Sequence, residues 1–155
     1  MEQIISSIRK IVRAINLESK KIDKAFGISI PQMLCLSMLN QSQNYQSNQK
    51  DLAEKLNLNA STMSGIIDRL EKKGLLARLP KQGDKRTTIV TLTSKGSGLL
   101  RSTPDLLQNR LLNRLVNAPF EEVSQIETGL NLLIKYLQIQ DIEAANILSE
   151  DDLPI

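Results

Sequence analysis

The 155-residue chain contains no histidine, no tryptophan and a single cysteine, Cys35. Without histidine, imidazole acid–base and nucleophilic catalysis are excluded. One cysteine cannot close an internal disulfide, and with no histidine beside it a zinc site of the usual ligands is out of reach. Aromatic residues make up 3% of the chain, too few for base-stacking platforms of the single-strand type. No apolar run approaches the roughly 20 residues that a membrane-spanning helix needs. The N-terminal MEQIISSIRKIVRAI has neither the apolar core nor the cleavage site of a signal peptide. A cytoplasmic protein with no membrane partner is therefore expected. No Gly-rich phosphate loop is present, no cofactor or metal is implied, and no catalytic constellation points to an enzyme.

What is present is charge, unevenly placed. The net charge is +3, but residues 47–96 hold ten Lys/Arg against five Asp/Glu, a local +5. The remainder sums to −2, and from Asp141 onward there are five acids and no base. A basic middle on a near-neutral frame suits a polyanionic partner. Charge alone would favour a merely solvated face. The length suits one domain, so residues 1–155 are read as a single unit ending in an acidic tail over 141–155.

Hydrophobic periodicity supplies the elements. Ile4, Ile5, Ile8, Ile11, Val12 and Ile15 share one helical face, predicting a helix over 3–24. Ser29, Pro31 and Gln32 form an N-cap, first-turn proline and third-position glutamine, predicting a second helix to about residue 39. QSQNYQSN reads as loop. Residues 48–51 can cap a short helix carrying Leu52, Ala53 and Leu56. Asn57-Leu58-Asn59 makes a turn, and Asn59 caps a helix over 60–73 that Gly74 ends. Residues 75–79 and 87–92 read as two strands joined by a tip over 82–86. Thr93 restarts a helix that runs to about residue 115, bent or split by Pro104. A last helix spans 120–140.

The helix over 60–73 has two faces. At about 100° per residue, Met63, Ile66, Ile67 and Leu70 fall within about 60° of one pole. Ser61, Gly65, Asp68 and Lys72 fall near the opposite pole, with Arg69, Ser64 and Thr62 toward the flanks. The outward face is small at its N-terminal end and charged further along. Small residues admit a groove wall, hydroxyls donate to phosphate or base edges, and Arg reads guanine bidentately. An ordinary solvated surface helix explains this one element about as well. The tip Lys81-Gln82-Gly83-Asp84-Lys85-Arg86 reads as a turn permitted by Gly83, with Asp84 pinning nearby cations. Arg78 can pair with Asp84 and serve the geometry of the hairpin.

DLAEKL, STMSGIIDRLEKKGLLAR, DKRT and VTLTSKG, all within 48–96, resemble the MarR family of bacterial transcriptional regulators. The family's Asp-x-Arg falls on Asp84 and Arg86, and its LT-x-x-G on Leu92, Thr93 and Gly96. The resemblance implies a mainly α fold with a small β-hairpin wing, a winged helix-turn-helix. It also implies a homodimer whose N- and C-terminal helices, 1–40 and 97–140, interlock, with the two readers at 47–96 held below. An isolated apolar stripe on a terminal helix needs a cover, and a partner subunit is the simplest one; the alternative is that the first and last stripes pack on each other within one chain. The expected partner is double-stranded DNA at a pseudo-palindromic operator, read by two helices about 34 Å apart. Ser61, Thr62, Ser64, Gly65, Asp68 and Arg69 are expected at bases or adjacent sugar. Asn48, Gln49, Lys72 and Lys73 are expected at phosphates, and Arg86 with Lys85 in the minor groove. Arg78, Gly83 and Asp84 would shape the wing.

The expected role is a repressor relieved by a small-molecule effector. Some MarR relatives sense oxidants through a cysteine near the start of the first helix, where this chain has none. Cys35, amid Met33, Leu34, Leu36 and Met38, reads as buried and inert. Other relatives bind aromatic acids, and Arg9, Arg13, Lys20 and Lys21 could anchor one; they fit a solvent-facing or DNA-adjacent position equally well, so no pocket is assigned. Two alternatives stay open: a winged module for protein–protein contact, and a redox-responsive regulator using Cys35.

Overall fold

A computed structural model describes residues 1–80 and 88–142. The expected tip residues Lys81, Gly83, Asp84, Lys85 and Arg86, and the acidic tail beyond 142, lie outside the described residues.

Helix α1 (Glu2–Phe26) ends on Gly27, whose φ of 65° closes the last turn. Helix α2 (Ile30–Gln41) begins with the expected reciprocal cap. The Ser29 hydroxyl accepts from the Gln32 N–H at 3.3 Å, and Gln32 Oε1 accepts from the Ser29 N–H at 3.2 Å. Its residues from Ile30 to Leu36, and Leu39, are buried, which makes it the central post of the core. Cys35 lies within it, fully buried and apart from solvent.

Helices α3 (Gln49–Leu56) and α4 (Ala60–Lys72) pack on each other and on α2. Between them Asn57 takes the left-handed conformation with φ 54°, which asparagine tolerates better than most residues. Strands β2 (Leu76–Arg78) and β3 (Ile89–Leu92) pair antiparallel as the expected hairpin. A third strand, β1 (Gln46–Asn48), pairs with the other edge of β3 in the register Gln46↔Thr91, Ser47↔Val90, Asn48↔Ile89. The sequence reading placed loop there. QSN has no strand propensity of its own, and its order comes from pairing with β3, a tertiary effect.

Helix α5 (Ser94–Ser102) starts at Thr93. The Thr93 hydroxyl accepts from the Gly96 N–H at 3.1 Å and donates to the Gly74 carbonyl at 2.7 Å. Gly96 lies hard against the turn after α4: a β-carbon there would stand 2.1 Å from the Leu75 carbonyl oxygen. The LT-x-x-G sequence is thus a joint between wing, α4 and α5. The helix stops before Pro104 and resumes as α6 (Leu107–Val116), so the expected long helix is split. Helix α7 (Phe120–Leu137) follows.

Residues up to Thr103 form one compact unit, and the segment from Pro104 through α6 and α7 forms a second. In the first, the core is α2, α3, α4 and the strand residues Leu75, Leu76 and Val90. In the second, Ile126, Leu130, Ile134 and Leu137 form an exposed apolar stripe along α7.

Candidate nucleic-acid interface

The two faces of α4 are set by packing. Met63, Ile66, Ile67 and Leu70 are completely buried. Opposite them Ser61, Asp68 and Lys72 are exposed, and Ser64, Gly65 and Arg69 are half-exposed. The helix starts on Asn59, whose Oδ1 accepts from the Thr62 N–H at 2.7 Å. That cap, with the Asn57 turn, fixes where the outward face begins.

Thr62 is a correction. It was expected, from a flank of the helix, at a base or adjacent sugar, but only 7% of it is exposed. It sits on the flank of a helix packed by α2, α3 and β2, so the flank as well as the core face is covered.

Gly65 lies on the open face. A β-carbon there would meet only Arg69 Nη2, 3.8 Å away. The fold therefore does not require glycine at this position, although glycine in a helix interior costs about 0.5–1 kcal/mol relative to alanine. Close approach of an external surface would give it a purpose.

Asn48 and Gln49 sit where β1 passes into α3. Asn48 is occupied as the N-cap of α3: its Oδ1 accepts from the Asp51 N–H at 2.7 Å and its amide donates to the Asp51 carboxylate at 2.9 Å. The Gln49 amide reaches the Ala60 carbonyl at a long 3.5 Å, linking the starts of α3 and α4. Lys73 is drawn to the end of α1, its ammonium donating to the Gly27 carbonyl at 2.7 Å. Lys95 in turn donates to the Lys73 carbonyl at 2.7 Å. These contacts tie the C-terminal end of α4 to α1 and α5.

Arg78 has partners that the sequence reading did not name. Its guanidinium binds Asp68 and Glu71 on α4, and its backbone N–H donates to Glu71 Oε1 at 3.2 Å. These carboxylates raise the arginine pKa, the hydrogen bond to Asp68 most, with partial burial opposing. Asp68 and Glu71 stand three residues apart, on one side of a helix, which the sequence shows; that Arg78 folds back to meet them is a tertiary contact. The Cys35 thiol is pushed up to about 12 by burial, so it stays protonated and unreactive near neutrality. That speaks against the redox alternative.

Among the described residues no group of three or more acidic or cysteine ligands could hold a metal, and no helix is long and apolar enough to cross a membrane.

A capped helix, a left-handed turn, a helix with one polar face and a strand pair define a winged helix-turn-helix. Comparison with known proteins agrees. The MarR family profile matches residues 28–88. YfiV of Bacillus subtilis (strain 168), an uncharacterized HTH-type transcriptional regulator, is 31% identical over 111 residues, covering 72% of this chain and 68% of its own. Two solved structures share the fold. The S. aureus MepR–DNA complex has a TM-score of 0.64 at 22% identity, over 84% of this chain and 96% of that one. Sco3205, a MarR family regulator from Streptomyces coelicolor in complex with DNA, has a TM-score of 0.66 at 20% identity, over 90% and 89%. The chain belongs to the MarR family of transcriptional regulators.

Proposed function

We propose that the chain is a homodimeric repressor that binds double-stranded DNA in a sequence-specific manner and is released by a small-molecule effector. The observation that carries the reading is α4: its apolar face is wholly buried while the opposite face is polar and open. Ser61, Ser64, Gly65 and Arg69 would meet base edges and adjacent sugar in the major groove. Gln49 and Lys72 would meet phosphates, and Lys85 and Arg86 on the wing would reach the minor groove. The local charge of +5 over 47–96 supplies the long-range attraction.

The dimer reading is supported by the apolar residues left in solvent. Ile4, Ile5, Ile11, Val12 and Leu17 of α1 are each about half exposed, as are Ile126, Leu130 and Leu137 of α7. Terminal helices within 1–40 and 97–140 would cover one another across a two-fold axis. Arg9, Arg13 and Lys20 line a groove on α1 with Ile8, Val12 and Leu17, chemistry that suits an apolar organic acid as effector. The whole of 1–155 would then act as one unit in the cytoplasm, with no catalytic step.

A salt titration of duplex binding tests the central claim. Log affinity should fall linearly with log salt as phosphates are neutralised. Absence of duplex binding at low salt would reject it and favour a protein–protein module.

A further inference from the structure

Arg78 lies in β2, where the chain enters the wing, and reaches back to α4. One guanidinium arm meets Asp68 and the other Glu71, while the Arg78 backbone N–H holds Glu71 from a third direction. Contacts to two side chains one helical turn apart restrain rotation as well as distance, the advantage of a planar guanidinium over a point charge. The side chains are 30%, 52% and 39% exposed for Arg78, Asp68 and Glu71. Ion pairs this wet contribute little to stability. The core is already closed by Leu75, Leu76 and Val90. What the three side chains supply is an angle between helix and strand.

We propose that Asp68 and Glu71 are positioning residues which, through Arg78, set the wing sheet against the recognition helix, and that Asp68 does not read a base. The proposal rests on the DNA-binding reading above. A base-reading Asp68 would accept from a cytosine amine in the groove. Here its carboxylate accepts from Arg78. Unclamped, Asp68 and Glu71 would set two negative charges beside the phosphates, and Arg78 offsets one of them. Removing a carboxylate therefore adds favourable charge toward any DNA while loosening the geometry that a specific site needs. The two effects oppose each other, a signature that simple destabilisation does not produce.

The experiment compares wild type, Asp68→Asn, Arg78→Gln and the double variant on two duplexes. One is an operator selected from genomic fragments by the wild-type protein, and the other is its scrambled counterpart. Asp68→Asn should lower operator affinity roughly fivefold while leaving scrambled-duplex affinity unchanged or raised. Arg78→Gln should lower operator affinity at least as much, and the double variant no more than Arg78→Gln alone. Additive losses, or altered preference at one base pair in Asp68→Asn, would overturn the proposal. A second measurement needs no DNA. Nitroxide labels at Lys72→Cys and Ile89→Cys report the spacing of α4 and the wing, since the buried Cys35 resists labelling. The distance distribution should broaden on Arg78→Gln. An unchanged narrow distribution defeats the clamp even if wild type binds DNA, whereas absence of duplex binding with a broadened distribution defeats only the DNA reading.

Discussion

Helices α1 and α2 are neighbours in sequence and opposites in burial. Helix α2 hides eight of its twelve residues, while the 25 residues of α1 hide only Ile22. Both are rich in isoleucine, leucine or methionine, so apolar content alone does not separate them. What separates them is pattern. In α2 apolar residues occur all round, as in a helix enclosed by its own chain. In α1 they keep to one stripe, and Ile4, Ile5, Ile11 and Val12 along it remain in water. One helix is covered by this chain and the other keeps its apolar stripe in water.

The largest test of that contrast is Leu36→Ala. Leu36 is fully buried at the centre of α2, and such truncations cost about 2–5 kcal/mol through lost burial plus the cavity left behind. Denaturant unfolding should show a loss in that range. A value under 1 kcal/mol would mean that α2 is not the core post. The matching change on α1 is Ile11→Asp combined with Val12→Asp, at side chains 57% and 50% exposed. It should leave helix content and the core intact yet weaken self-association by about 100-fold, roughly 2.7 kcal/mol. Sedimentation equilibrium reads this directly, and an unchanged dimer would remove α1 from the interface.

The faces of α4 were legible because one period, 3.6 residues, decides them: Met63, Ile66, Ile67 and Leu70 are all inward. The caps at Ser29, Asn48 and Asn59 were legible because capping is local chemistry. Strand β1 was not, since its polar residues become a strand only when β3 is beside them. Nor was the burial of Thr62, which depends on how neighbours close around the α4 flank. Arg78 was assigned to wing geometry, but its observed partners on α4 required knowing that β2 folds back along that helix. Short-range order could be read, and the contacts made by folding back could not.

Cys35 carries the contrast into pH. Its thiol is held near 12 against an ordinary value near 9 because burial disfavours the thiolate. The folded state thus binds this proton more tightly than the unfolded chain does. Its contribution is complete below pH 9 and is lost as pH rises from about 9 to about 12. Thermal unfolding should fall more steeply over that window than in Cys35→Ala, by on the order of 1 kcal/mol for the first pH unit. Equal slopes would show that the thiol is not isolated from water. A cysteine on the exposed face of α1 would show no such window, which makes the measurement a check on burial as much as on charge.

The smallest expected effect concerns Asn59, which fixes the start of α4. Replacing its cap by Asn59→Ala removes one charge-free hydrogen bond, 2.7 Å long, to the Thr62 N–H and should cost about 1 kcal/mol. The core face of α4 stays buried without it, so the helix should persist. What loosens is the first turn, where Ser61 stands exposed. Amide hydrogen exchange at residues 61–63 should therefore speed up while exchange at Ile66 and Ile67 stays slow. Uniform acceleration along α4 would instead mean that the cap supports the whole helix. The exposed face of α4 would then depend on its cap as strongly as on its core.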